Sequence, residues 1–107
     1  YTEVDTLSLH DALPILKQSL TENRPVAVES APTMADGIAV QKPGQKTFEI
    51  IRNYVDDIFC VDEMEIARTM LLVLERNKLL VEGSGASPIS ALLYDKVKLS
   101  GKKVAVV

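Results

Sequence analysis

From Thr47 to Val55 the apolar side chains Phe48, Ile51, Tyr54 and Val55 recur at helical spacing, and Arg52 can pair with Asp56 one turn later. The pattern predicts a helix over 47–55. Asp57-Ile58-Phe59-Cys60-Val61 follows as a compact apolar run, which predicts a buried strand. Asp62 then opens the clearest helix of the chain. Asp62 and Glu65 have capping-box spacing, and Ile66, Met70, Val73 and Leu74 continue at helical intervals. Leu71 and Leu72 widen that stripe so far that most of this helix is expected to be covered. Arg76 and Lys78 sit in its last turn, where cations suit the helix dipole.

The flanking segments alternate in the same way. Pro25 to Glu29 is a short β-favouring run that ends before an Ala35-Asp36-Gly37 turn. In that turn Gly37 can adopt φ > 0 and allow a close backbone approach, while Asp36 can bond to nearby backbone. Lys42-Pro43-Gly44 is a second turn signal. After Leu79-Leu80-Val81, Ser87 as N-cap with Pro88 at the first helical position predicts a helix from Ile89 to about Tyr94. Lys102 to Val107 reads as a final strand. Strands alternating with helices imply an α/β fold with a mostly parallel sheet and flanking helices.

Composition adds bounds. The chain has 107 residues, 47% apolar and 25% charged, as expected of one globular domain. Its longest apolar run, Met70 to Leu74, is too short to span a bilayer. A single cysteine, Cys60, excludes an internal disulfide framework and suits a reducing, cytoplasmic setting. In its run Cys60 reads as a core residue rather than a reactive thiol. The formal charge of -3 comes without a basic stripe, so nucleic acid is not an expected partner, and no membrane association is expected.

The N-terminal stretch changes that charge. Leu7 to Ile15 is the peptide encoded by CTT TCC CTA CAC GAC GCT CTT CCG ATC, which resembles the end of a sequencing-library adapter. Residues 1–15 are therefore expected to be an adapter-derived, non-native tail that packs poorly against the rest. Glu3, Asp5 and Asp11 lie there, which leaves 12 acids against 12 bases in residues 16–107. The sole histidine, His10, lies there too, and it is discarded as a general base.

Little in the remaining residues carries chemistry unaided. Gly83-Ser84-Gly85 before a helix resembles part of a phosphate cradle, but no third glycine or Gly-Lys-Ser/Thr follows, so a plain turn is the better reading. Asp56-Asp57 with Asp62-Glu63 lacks a histidine or second acidic cluster, and helix-end capping explains these acids better than a metal site. None of the eight lysines has a context that marks a Schiff base.

Family resemblance supplies what the bare pattern does not. Pro32-Thr33-Met34-Ala35-Asp36-Gly37-Ile38-Ala39-Val40, Thr47-Phe48-Glu49-Ile50-Ile51-Arg52, Tyr54-Val55-Asp56-Asp57-Ile58 and Leu80-Val81-Glu82-Gly83 together resemble the threonine ammonia-lyase (threonine dehydratase) family. The resemblance implies a tryptophan-synthase-β-like domain that uses pyridoxal 5'-phosphate. Residues 16–107 would be its C-terminal portion, truncated at both ends. Serine racemases and serine dehydratases share the Ala-Asp-Gly turn and the Glu75-Arg76-Asn77-Lys78-Leu79 helix end, and they are the alternative within the family. A free-standing, non-catalytic α/β module is the alternative outside it. The family's Gly-Ala-Gly-Ala-Ala run is replaced here by Gly83-Ser84-Gly85-Ala86-Ser87-Pro88.

The implied parent converts threonine to 2-oxobutanoate and ammonia, is a cytoplasmic homo-oligomer, and serves amino-acid metabolism such as isoleucine biosynthesis. The family's cofactor-binding lysine lies in a Ser-Phe-Lys-x-Arg-Gly motif, which this chain lacks. Its phosphate-binding glycine loop and its pyridine-contacting serine motif are absent as well. No catalytic residue and no metal ligand is assigned. The resemblance leaves a cofactor-binding wall, Asp36, Gly37, Glu82 and Gly83. The chain alone is expected to bind no cofactor and to be inactive.

Overall fold

A computed structural model describes residues 7–9, 15–29 and 32–106. The element order is β1 (Leu7–Leu9), α1 (Ile15–Glu22), a 3-10 turn (Asp36–Ile38), α2 (Gln45–Tyr54), β2 (Ile58–Cys60), α3 (Glu63–Asn77) and α4 (Gly83–Leu93). β1 and β2 form a two-stranded parallel ladder in which Leu7, Ser8 and Leu9 pair with Ile58, Phe59 and Cys60. Helices therefore dominate the described residues.

Two apolar clusters organise the chain. Ile51 of α2 and Ile58 of β2 are buried with Leu16 and Leu20 of α1 and Val55 packed against them. The second cluster joins Val61, Ile66 of α3, Ala86 and Ala91 of α4, and Ala35 of the loop before the 3-10 turn. Alanines at 35, 86 and 91 let α4 lie close to its neighbours. The α3–α4 seam also holds a polar lock. The Ser90 hydroxyl donates to Thr69 Oγ1 at 2.8 Å, and the Thr69 hydroxyl donates to the Glu65 carbonyl at 2.8 Å. Because these buried hydroxyls are paired, they fix the register of the two helices without a desolvation penalty.

Helix ends follow local chemistry. Asp62 caps α3 by accepting the Glu65 N–H at 2.8 Å, and the Glu65 carboxylate accepts the Asp62 N–H at 3.0 Å, the expected capping box. The other oxygen of Glu65 meets Lys96 Nζ at 2.8 Å, tying the start of α3 to the chain just past α4. Asn23 and Asp95 follow α1 and α4 in the left-handed region, with φ of 53° and 52°. Around each, paired backbone bonds complete a Schellman stop, Arg24 N–H to the Ser19 carbonyl and Lys96 N–H to the Ala91 carbonyl.

Several expectations from the sequence are corrected. α1 was not foreseen, although Ile15/Ser19 and Leu16/Leu20 repeat at i, i+4 and Asn23-Arg24-Pro25 is a stop signal. Pro25 to Glu29 is not a strand; Val28 N–H bonds singly to the Gln41 carbonyl. Lys102 to Val106 is exposed and irregular, and Val107 lies outside the described residues. A β-prone run becomes a strand only where a neighbouring edge receives its N–H and C=O groups, and these runs meet none among the described residues.

α4 begins at Gly83, not Ile89, so Pro88 lies inside the helix. Proline there leaves the Ser84 carbonyl without its i+4 donor, and the Ser87 hydroxyl donates to that carbonyl at 2.8 Å instead. Tyr54 points outward rather than joining Phe48 and Ile51. Arg52 donates to Asn23 Oδ1 at 3.0 Å and lies over the Phe48 ring, rather than serving the expected pair with Asp56. Leu71 and Leu72 are exposed, against the expected cover. Residues 7–9 of the expected tail occupy the ladder beside β2. The rest of that tail through Pro14 is outside the described residues.

Candidate cofactor wall at the start of α4

The loop at Thr33-Met34-Ala35 is held from one side by α3. Thr33 Oγ1 donates to Glu63 Oε1, and the Met34 N–H donates to both Glu63 oxygens at 3.2 Å. The Ala35 N–H donates back to Thr33 Oγ1 at 3.0 Å. Glu63 thus clamps the loop to the first turn of α3. From the sequence, Glu63 reads only as an acid suited to a helix start, so its positioning role was missed.

Against this clamped loop sits the first turn of α4. A Cβ added at Gly83 would lie 2.7 Å from the Met34 carbonyl oxygen and 3.0 Å from Ala35 Cα. Only glycine permits that backbone approach. At Gly37 an added Cβ would lie 2.5 Å from Ser84 Oγ, 3.3 Å from Ser84 Cβ and 3.6 Å from Glu82 Oε1. Gly37 does not adopt positive φ, so the expected left-handed turn is replaced by a 3-10 turn. The glycine is required by proximity, not by backbone conformation.

Segments separated by more than forty residues thus meet at one corner, where Gly37 and Glu82 are neighbours and Gly83 abuts the adjoining loop. Asp36 opens the 3-10 turn two residues beyond Met34, and its side chain faces solvent. Glu82 is also exposed and occupies the N-cap of α4, with no side-chain cap hydrogen bond. Its carboxylate is therefore not spent on its own helix, and the α4 N-terminus favours negative charge beside it. Ser84, which replaces an alanine of the family run, has a buried hydroxyl with no hydrogen-bond partner among the described residues.

Two acids of the 56–63 stretch serve the backbone. Asp57 accepts the Ile58 N–H at 2.7 Å, and Asp62 caps α3. Among the described residues no three His, Cys, Asp or Glu side chains are grouped to hold a metal ion. Cys60 is half-buried. No described helix is long and apolar enough to cross a membrane. His10 lies outside the described residues.

Comparison with known proteins places the chain in a family. The sequence model described as "Pyridoxal-phosphate dependent enzyme" matches residues 10–107. The chain belongs to that family. The match begins inside the stretch that resembles adapter.

The L-threonine ammonia-lyase of Thermotoga maritima is 47% identical over 95 residues, covering 89% of this chain and 23% of the relative. That of Geobacter sulfurreducens is 52% identical over 96 residues, covering 89% and 24%. Among solved structures, a T.th. threonine deaminase superposes with a TM-score of 0.79 at 33% identity, over 83% of this chain and 32% of that one. Maize serine racemase gives 0.78 at 30% identity, over 85% and 28%. The chain therefore spans about a quarter of the length of the curated relatives it matches.

The fit of the corner to pyridoxal phosphate is partial. Two glycine-dependent approaches make a close-packed edge with an uncommitted carboxylate, which suits a wall beside a flat ring. An anchor is another matter. Neither segment, 32–41 or 79–95, contains a lysine for a Schiff base. The corner can border the group without holding it.

Proposed function

We infer that residues 16–107 are the later part of the catalytic domain of a threonine ammonia-lyase, which turns threonine into 2-oxobutanoate and ammonia. The observation that carries this reading is the close packing of Gly37 beside Glu82 and Ser84 and of Gly83 beside Met34 and Ala35, where neither glycine has room for a Cβ. Relatives named for threonine at 47% and 52% identity support the substrate. In the parent the cofactor supplies the electron sink for the α-carbon. Asp36, Gly37, Glu82 and Gly83 line one side of its site. Gly37 and Gly83 exclude water by close packing, and Glu82 presents a carboxylate at the edge. The parent sheet is mostly parallel, with β2 as one of its strands. The parent is a cytoplasmic homo-oligomer with a role in amino-acid metabolism, isoleucine biosynthesis included.

Serine racemase or serine dehydratase is the second reading, favoured by the likeness to maize serine racemase. Flanking DNA tests the enzyme reading. Upstream Ser-Phe-Lys-x-Arg-Gly codons and a downstream Ser-Gly-Gly/Ala-Asn run support it; a start codon near Leu16 and a stop after Val107 support a free-standing module instead. The restored enzyme then decides the substrate, by turnover of threonine against racemisation or deamination of serine. Residues 1–15 remain adapter-encoded in this reading, and sequencing the source locus without adapter ligation tests that.

For the chain alone, the missing anchors predict no site-specific cofactor attachment. Borohydride reduction with pyridoxal phosphate, followed by peptide mapping, should show no single saturable pyridoxyl-lysine. One such lysine, matched by threonine turnover, refutes the reading of an inactive piece. In the restored enzyme, Gly37→Val should lower turnover or cofactor affinity in protein that still folds. Unchanged kinetics in that folded variant remove the turn from the site.

A further inference from the structure

One peptide unit, Met34–Ala35, sits where the two halves of the wall meet, and its orientation is set by side chains. A peptide is planar and trans, so its C=O points opposite to its N–H. The Ala35 N–H donates to Thr33 Oγ1 at 3.0 Å. That bond turns the Met34 carbonyl the other way, to the place where a Cβ on Gly83 would lie 2.7 Å from it. Thr33 is held in turn, because its hydroxyl donates to Glu63 Oε1, and the Met34 N–H donates to both Glu63 oxygens at 3.2 Å. Glu63 thus governs two successive peptides, 33–34 directly and 34–35 through Thr33.

The Asp36-Gly37 turn hangs from the same loop. The Ala35 carbonyl accepts the Ile38 N–H at 3.0 Å and closes the 3-10 turn. Ala35 itself is buried in the cluster with Ile66 of α3 and Ala86 of α4. The loop is therefore pinned by packing on one side and by the carboxylate on the other. A change in the clamp reaches Gly37 and Gly83 together. The start of α3 does not need this clamp, since Asp62 and Glu65 form its capping box.

We propose that Glu63, acting through Thr33, is a positioning residue of the cofactor site. By its reach rather than its charge, it orients the Met34–Ala35 peptide and so sets the spacing between the Asp36-Gly37 and Glu82-Gly83 halves of the wall. The proposal rests on the lyase reading of this corner.

Two substitutions separate reach from charge. Glu63→Asp keeps an acid in the first turn of α3, which the helix dipole favours, but withdraws the carboxylate by one C–C bond, about 1.5 Å, from contacts that stand at 3.2 Å. Glu63→Gln removes the charge and keeps an acceptor oxygen at full reach. Positioning predicts harm from Glu63→Asp and tolerance of Glu63→Gln; a dipole role predicts the reverse.

In the whole chain, amide hydrogen exchange at Met34 and Ala35 should quicken in Glu63→Asp and not in Glu63→Gln, with exchange inside α3 unchanged. In the restored enzyme, Glu63→Asp should weaken pyridoxal phosphate binding and raise KM for threonine by about tenfold each, as loss of a charge-assisted hydrogen bond does. The visible circular dichroism of the bound cofactor should change with them, and kcat should change less than KM, because Glu63 orients the wall rather than touching the reacting atoms. Glu63→Gln should stay within about threefold on both constants, since its oxygen still accepts. Thr33→Val leaves α3 untouched and should reproduce the effects of Glu63→Asp.

Faster exchange at both amides with cofactor affinity, spectrum and KM unchanged would confine Glu63 to loop stability and overturn the proposal. Greater harm from Glu63→Gln than from Glu63→Asp, or equal tolerance of the two, overturns it as well. Unchanged cofactor binding in Thr33→Val removes Thr33 as the relay. An unmodified restored enzyme that binds no pyridoxal phosphate overturns the lyase reading first, and this proposal with it.

Discussion

The corner where Gly37 meets Ser84 makes a prediction about coupling. An alanine at position 37 would place its Cβ 2.5 Å from Ser84 Oγ, about an ångström inside an ordinary contact. Overpacking of this kind costs about 1–3 kcal/mol. Removing the hydroxyl alone, by Ser84→Ala, deletes a buried oxygen that has no partner among the described residues. That change should be neutral or stabilise by up to about 1 kcal/mol. With both changes, the nearest side-chain atom to the new Cβ is the Cβ at position 84, at 3.3 Å, which is tight but tolerable. In the Ser84→Ala background, Gly37→Ala should therefore cost less than about 1 kcal/mol.

The double-mutant cycle should then show a favourable coupling of about 1–2 kcal/mol between positions 37 and 84. Urea unfolding followed by circular dichroism measures it, with the slope against denaturant checked for constancy. Gly83→Ala is the control. Its obstacle is the Met34 carbonyl oxygen at 2.7 Å, which is backbone, so Ser84→Ala should give no relief. Additive effects within about 0.5 kcal/mol at 37 and 84 would mean that the close approach is not what demands glycine there.

Three further outcomes are expected. Ser87→Ala should destabilise by about 1–2 kcal/mol, because the Ser84 carbonyl loses the Ser87 hydroxyl as its donor, and Pro88→Ala should recover most of that by restoring a backbone N–H; thermal unfolding of the three proteins checks this. Asp62→Ala should cost about 1 kcal/mol by removing the α3 cap, with helix loss seen by circular dichroism on mild heating. Deleting residues 1–10 should lower stability by about 1–3 kcal/mol, since the edge of β2 loses its ladder partner, and an unchanged urea midpoint would show that β1 contributes nothing.

Local chemistry was legible in the sequence; partnership was not. The Asp62–Glu65 capping box, the short strand after Asp57 and the second helix at Thr47 all follow from residues within one or two turns of each other. α1 was missed because its first residue, Ile15, lies in the stretch set aside as tail, which leaves Leu16 and Leu20 as a short apolar signal. The start of α4 was missed because Gly83-Ser84-Gly85 reads as a turn and Ser87-Pro88 as a cap. The helix forms there because two glycines let it sit against Met34 and Gly37, and because Ser87 supplies the donor that Pro88 lacks. Both gains come from contacts that no local window contains. The same holds for Lys102 to Val106, which has β character and no edge to join among the described residues.

The candidate site repeats this division. Asp36-Gly37 and Glu82-Gly83 were picked out by family resemblance, and nothing in their spacing says that they meet. Their meeting depends on Glu63, whose carboxylate holds Thr33 and Met34 in the path of Gly83. An acid at a helix start already has a sufficient local explanation in the dipole, so the sequence gives no reason to look further. The order of construction is therefore α3 first, through its own cap, then the loop clamped to its first turn, then α4 laid against that loop. Each step places backbone where the next needs it. A site wall made by backbone proximity is specified less by the residues that line it than by the helix behind them, and that helix is the part of this chain most plainly written in its sequence.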